Sequence, residues 1–256
     1  MSRRRRRRVY RRKKRRYRKI FIINLFLIFS LISLIKIVNI CSGLIKSPDA
    51  RMVSSNINLL EDTDVFTVCI DPGHGDWDVG AIGVNGSYEK DIVLDIALIV
   101  GELLENSGIN VVYTRNNDTL NWSDDSIENL YERVRISKDN NADLFISIHC
   151  NSAYDPSEYK GVETWYNPKS KESKALASLI QDELSNLEYT NDRGIKFYSD
   201  DAPLAVLNNN DAPSALIELG FLSNWSDENI LTSKIWQKNI AEAICNAILS
   251  YKDLIE

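Results

Sequence analysis

Apolar residues recur along this chain in two periods, and the period switches several times. Val65 to Ile70 is a short apolar, β-branched run, which predicts a strand. Tyr88 to Asn106 then carries Ile92, Val93, Ile96, Ala97, Ile99, Val100, Leu103 and Leu104 at helical spacing, and Gly108 follows as a helix stop. Asn110 to Thr114 predicts a second strand, 116–125 an Asn- and Asp-rich loop, and Ile127 to Asp139 a helix. Leu144 to His149 and Gly161 to Tyr166 read as strands, and Glu172 to Leu187 as an amphipathic helix. Ile195 to Tyr198 and Leu204 to Leu207 are short pieces of undecided type. Ala215 to Leu219 has the pattern of a buried strand that Gly220 breaks. A last helical stretch runs from about Glu228 to Leu254, with a break near Ser233.

Strands alternating with helices predict an α/β domain: a twisted, mainly parallel sheet flanked by helices on both faces. One such domain over 65–256 fits the length. Residues 46–64 are polar with scattered apolar positions and read as a linker.

Charge changes the picture at the other end. The whole chain carries −5, with two histidines in 256 residues. Residues 3–19 hold fourteen Arg and Lys and no acid, so the remaining 17 basic residues face all 36 acidic ones, and that part carries −19. A basic run alone fits a nucleic-acid arm. Here it leads directly into the apolar stretch Ile20 to Ile35, which continues past Lys36 to Ile45. Sixteen helical residues span roughly 24 Å, short of a bilayer core of about 30 Å, but the segment 20–45 is long enough. Basic residues before an apolar span predict a cytoplasmic segment 1–19 and a transmembrane anchor at 20–45, with the domain outside the membrane. The small residues Cys41-Ser42-Gly43 leave a cleaved, secreted form as the alternative. Nucleic acid is not expected as a partner. Cys69 and Cys150 each lie near a strand end; buried free thiols or a bridge between them both fit.

Both histidines sit at strand ends, where open parallel sheets bind ligands. His74 follows the first strand in Asp71-Pro72-Gly73-His74-Gly75, and His149 ends Leu144 to Ile148. Glu218 is the one charged residue between Pro213 and Leu222, and a lone carboxylate is costly to bury unless it is paired or used. Glu89 opens the first helix, where a Glu commonly serves only the helix dipole. Beside two imidazoles it completes a different set: two His, one carboxylate and an open position suit a catalytic zinc ion. Glu218 would then be the general base on a water and acid to the leaving amine. Strand alternation puts Asn151 on the face of His149 and Cys150 on the other, so Asn151 is a candidate substrate or supporting contact. Asp71 either holds the His74 ring or caps the Pro-Gly turn. Arg115, Arg133 and Arg135 read as salt-bridged or solvated. Trp77, Trp122 and Trp165 belong either to a sugar or peptide groove or to core and rim.

These blocks together resemble the zinc-dependent N-acetylmuramoyl-L-alanine amidases of bacterial cell walls. The resemblance rests on Ile70-Asp71-Pro72-Gly73-His74-Gly75, Gly86-Ser87-Tyr88-Glu89-Lys90, Phe145 to Ala153 (FISIHCNSA) and Ile217 to Asn224 (IELGFLSN), in the family's order, with Tyr113-Thr114-Arg115 between. It implies zinc on His74, Glu89 and His149, Glu218 as catalytic acid/base, and hydrolysis of the amide joining N-acetylmuramic acid to L-alanine in peptidoglycan. Cys150 departs from the family, which usually has an apolar residue there. The short interval from His149 to Glu218 leaves no room for the blocking helix of some relatives, which implies an open site regulated by other means. The anchored, compact layout is similar to that of sporulation and germination members. Two alternatives stay open: a zinc peptidase cutting within the stem peptide, and a non-catalytic wall-binding protein. The −19 portion is repelled by anionic wall polymers over a Debye length of about 8 Å, so the anchor or a regulatory protein partner is expected to set its location.

Overall fold

The run at Val65 to Ile70 forms β1, Thr67–Pro72, and all six of its residues are buried. That is the burial expected of a parallel strand covered on both faces. The computed structural model describes residues 65–256 apart from 123–124 and 155–158. The expected basic segment, anchor and linker lie outside the described residues. Among the described residues, no helix is long and apolar enough to cross a membrane.

The chain continues through α1 (Glu89–Asn106), β2 (Asn110–Tyr113), α2 (Ser126–Asp139), β3 (Leu144–Asn151) and β4 (Val162–Tyr166). It ends with α3 (Lys171–Ser185), β5 (Asp192–Phe197), the single turn α4 (Ala205–Asn208), β6 (Ser214–Phe221), α5 (Trp225–Leu231) and α6 (Lys234–Ile255). The helix starts are local chemistry. Asp125 accepts from the amides of Ile127 and Glu128 to begin α2, and Ser170 accepts from Ser173 to begin α3. Ser233 separates α5 from α6, at the expected break.

The six strands form one sheet in the order β2-β1-β3-β6-β4-β5. β2, β1, β3 and β6 run parallel; β4 turns antiparallel to β6, and β5 is parallel to β4. Gly220 does not break its strand. β6 runs through it to Phe221, and the register with β3 shifts between His149 and Asn151, which marks a bulge.

Alternation along the strands sorts the core into two unequal layers. Val68, Ile70, Ile146, Ile148 and Ile217 face the long helices α1, α3 and α6 in the larger cluster. Cys69, Phe145 and Leu216 face Val134 of α2 and Val206 and Leu207 of α4 in the smaller one. The strand pleat therefore sends Asp71, Ser147, His149 and Glu218 toward the thinly covered side. Cys69 and Cys150 belong to opposite clusters, and both are free and buried. The bridge between them is ruled out because their side chains leave the sheet on opposite faces.

Candidate metal centre

The loop after β1 is built around a strained histidine. His74 adopts φ 61° and Asp76 φ 53°. A non-glycine residue held there costs of order 1–3 kcal/mol, so its surroundings must over-determine it. Two buried arginines do so. Arg133 donates to the carbonyls of Pro72 (2.9 Å) and His74 (2.7 Å), and Arg115 to those of Pro72 (3.0 Å), Gly73 (2.8 Å) and Lys90 (2.8 Å). The salt-bridged reading of Arg133 is right but incomplete, because its main task is to grip this backbone. Arg135 is exposed and pairs with Glu132 and Asp139 along its helix.

The loop delivers His74 to Glu89 and His149. His74 Nε2 lies 3.1 Å and His149 Nδ1 3.0 Å from Glu89 Oε1. One candidate ligand atom from each residue falls within 4.8 Å of the others. The two rings meet edge to face with centroids 4.9 Å apart. Backbone amides fix the carboxylate: Cys150 N donates to Oε1 (2.8 Å) and Ala81 N to Oε2 (2.8 Å). Glycine makes the approach feasible. A Cβ on Gly73 would stand 2.2 Å from the His149 ring, and one on Gly80 2.6 Å from Glu89 Oε2.

Electrostatics follow from this packing. Burial alone would raise the Glu89 pKa, but hydrogen bonds and charge from His149 and His74 win and hold it far below the usual carboxylate range. Burial likewise opposes protonation of His74, yet Glu89 and Asp78 outweigh it and raise its pKa. Three donors drawing positive charge into a half-buried corner could hold a metal ion.

Asp71 does not hold the His74 ring. That role belongs to Asp78, whose Oδ2 lies 2.8 Å from His74 Nδ1, a residue sequence reasoning missed. Asp71 is fully buried and accepts from Arg133 (2.7 Å), Thr114 (2.6 Å) and Ser147 (2.7 Å). Burial pushes its pKa up, but Arg133 and these hydroxyls pull it below the ordinary 3.8. The stability it contributes is complete above that ordinary value and drains away as pH falls through the lowered folded one. Asp71→Ala is expected to cost about 3–5 kcal/mol, because it leaves Arg133 buried without its charge partner. It should also shrink the acid-side loss of stability. Urea denaturation at pH 7 and pH 3 measures both effects.

Glu218 lies directly opposite His149 on β3 and Glu163 on β4. Burial, then the charges of Glu89 and Glu163, raise its pKa well above the usual value. Its Oε2 is buried and has no hydrogen-bond partner among the described residues. Glu163 is already occupied. It accepts from Arg193 (2.6 Å), Asn151 (3.1 Å) and Trp165 (3.1 Å). Asn151 is half-buried and supports Glu163.

A second pair of acids works at a distance. Glu228 of α5 accepts from Asn85 N (2.8 Å), Asn85 Nδ2 (2.9 Å) and Ser87 Oγ (2.6 Å), closing the loop before Glu89. Its neighbour Asp227 accepts from Gly161 N, Phe221 N and Thr190 Oγ1. Sequence gave no signal for either beyond acidic residues near a helix start.

His74, His149 and Glu218 open into a cleft of about 430 Å³, lined also by Asp71, Leu130, Arg133 and Leu204 to Val206. Among the tryptophans, Trp77 lines this cleft. Trp122 instead lies under the Arg133 guanidinium at 5.9 Å, and Trp165 is tied to Glu163.

A mainly parallel sheet presenting an imidazole–carboxylate–imidazole group beside an unpartnered acid is the layout of a hydrolase. Residues 68–250 match the family described as N-acetylmuramoyl-L-alanine amidase, and the chain belongs to that family. It is similar to N-acetylmuramoyl-L-alanine amidase LytC of Bacillus subtilis (strain 168), 41% identical over 187 residues, 72% of this chain and 35% of that protein. It is also similar to the germination-specific N-acetylmuramoyl-L-alanine amidase of the same organism, 35% identical over 192 residues, 72% of this chain and 78% of that one. Among solved structures, it resembles the CwlD amidase from Clostridioides difficile in complex with the GerS lipoprotein. There the identity is 36% and the TM-score 0.66, over 74% of this chain and 99% of that chain.

Proposed function

We propose that this chain is a zinc-dependent hydrolase of the amide between N-acetylmuramic acid and L-alanine in peptidoglycan. One observation carries the reading. His74, Glu89 and His149 converge at the strand ends, next to the unpartnered Glu218 carboxyl, in a chain of the amidase family.

The donor set fits zinc by its chemistry: two imidazoles and one carboxylate, with Asp78 behind the His74 ring to fix its tautomer. Zinc held there supplies Lewis acidity, polarising the scissile carbonyl and easing deprotonation of the attacking water. The chain's own residues do the rest. Asp78 and the amides of Ala81 and Cys150 hold the donors in place. Arg115 and Arg133 keep the His74 loop in its strained conformation. Glu218 takes a proton from the attacking water and delivers it to the departing nitrogen of L-alanine.

Digestion of purified wall by the full-length chain, followed by mass spectrometry, tests this. The expected products are glycan with free lactyl carboxyls and intact peptides beginning with L-alanine, and a chelator should stop their release. Shortened peptides still attached to sugar would overturn the reading in favour of a stem-peptide peptidase.

We also infer that residues 20–45 anchor the chain with the catalytic domain outside the membrane. The basic run directly before an apolar span supports this. Deleting residues 1–46 should move the protein from the membrane fraction to the soluble one; an unchanged distribution would sink the anchor.

A further inference from the structure

The cleft has one exposed aromatic whose position the chemistry above does not use. Trp77 is 51% exposed and lines the cleft with His74. It sits at the tip of a turn closed on itself by Gly75 N→Asp78 O (2.9 Å) and Asp78 N→Gly75 O (3.0 Å). The turn is also pinned from outside. Asp76 N donates to Asp118 O (2.7 Å), and Lys90 Nζ to Asp76 O (2.8 Å). Among the described residues, the Trp77 indole has no hydrogen bond, ring partner or cation over its face. A large apolar ring is thus presented rigidly to water beside the candidate metal ligands.

The charge around the ring narrows what it accepts. Asp76, Asp78 and Asp118 lie on this side; Lys90 pairs with Asp118 at 2.7 Å, and the buried Arg115 and Arg133 are turned onto the backbone carbonyls of the His74 loop. Carboxylates repel the acidic groups of a stem peptide. They accept hydrogen bonds from hydroxyls, and an indole face packs on the apolar C–H face of a pyranose. The muramoyl ring arrives without charge, because its lactyl carboxyl is consumed in the scissile amide.

We propose that Trp77 is the saccharide platform of this site, stacking on the muramoyl ring and placing the glycan on the His74 side of the cleft. The proposal rests on the amidase reading. Its test compares two amides with the full-length chain: a muramoyl peptide, and the same peptide carrying only the lactyl group. The wild type should prefer the sugar-bearing amide in kcat/KM. Trp77→Ala should cut that preference about five- to tenfold, the scale of one aromatic contact, and Trp77→Phe should keep most of it. An equal preference in wild type and Trp77→Ala would overturn the platform while leaving the amidase reading intact. Saturation-transfer NMR with peptide-free glycan strands adds a readout independent of turnover. Contacts from indole protons are expected in the wild type and their loss in Trp77→Ala; a wild type without such contacts overturns the proposal. Glycan contact at Trp77 in a chain that cleaves neither amide would sustain the platform and fail the amidase reading.

Discussion

Glu218→Gln is expected to lower wall hydrolysis by about 10²–10⁴-fold, the contribution typical of a positioned acid/base. Bound zinc per chain should stay at the wild-type level, because Glu218 is outside the group of candidate ligands. The physical ground is its setting. Glu218 lies directly opposite His149 in the sheet and lines the cleft beside the candidate metal ligands, where a carboxyl can exchange a proton with a water. Glutamine preserves the shape and removes that proton traffic. Stability should hold or rise slightly, since a neutral amide replaces a group whose ionised form burial disfavours. Product release from purified wall, together with metal analysis, measures the two quantities. Full activity in the variant would remove the role assigned to Glu218.

Glu89→Gln is the companion experiment, with the opposite pattern. Both zinc content and activity should fall by more than about 100-fold, beyond the loss typical of an outer partner of a ligand. Glutamine keeps one oxygen, so it can accept from the amide of Cys150 or of Ala81 but not from both, since these donate to different oxygens of Glu89; the hydrogen bond lost costs about 1–3 kcal/mol, which the fold should survive. What it loses is the negative charge between two imidazoles. His74 should then protonate less readily, because Glu89 is the largest contributor raising its pKa against burial. NMR titration of the His74 ring in the metal-free variant checks that shift. Stoichiometric zinc in Glu89→Gln would show that this carboxylate is not a ligand. The two variants together separate binding the metal from moving the proton.

Periodicity made much of the fold legible. The strands at 65–70, 144–149 and 215–219 form close to their expected bounds, because buried parallel strands write their burial as unbroken apolar runs. The piece at 195–198 proved to be the end of a strand, and that at 204–207 a single helical turn. The first belongs to the edge strand of the sheet and the second is a single turn, so few apolar positions record a period. The antiparallel setting of β4 was not legible, since direction is fixed by pairing with β6 across some fifty residues. At the site, His74, Glu89, His149 and Glu218 were legible because each breaks a local pattern at a strand or helix end. Asp78 was not, as an acid in an acid-rich loop breaks none. Arg115 and Arg133 escaped for a related reason. They grip backbone carbonyls, and a carbonyl has no letter in the sequence.

The helix α5 has a consequence for when this chain becomes competent. A chain leaves the ribosome N-terminus first. His74, Glu89 and His149 therefore emerge long before Trp225–Leu231. Until those two turns of helix arrive, the loop at Asn85 to Ser87 lacks the Glu228 carboxylate it closes on, and Gly161 and Phe221 lack Asp227. A half-made chain carries all three histidine and glutamate donors yet no clamp to set them. Synthesis order thus acts as a timer, withholding the assembled donor group until nearly the whole domain has been made.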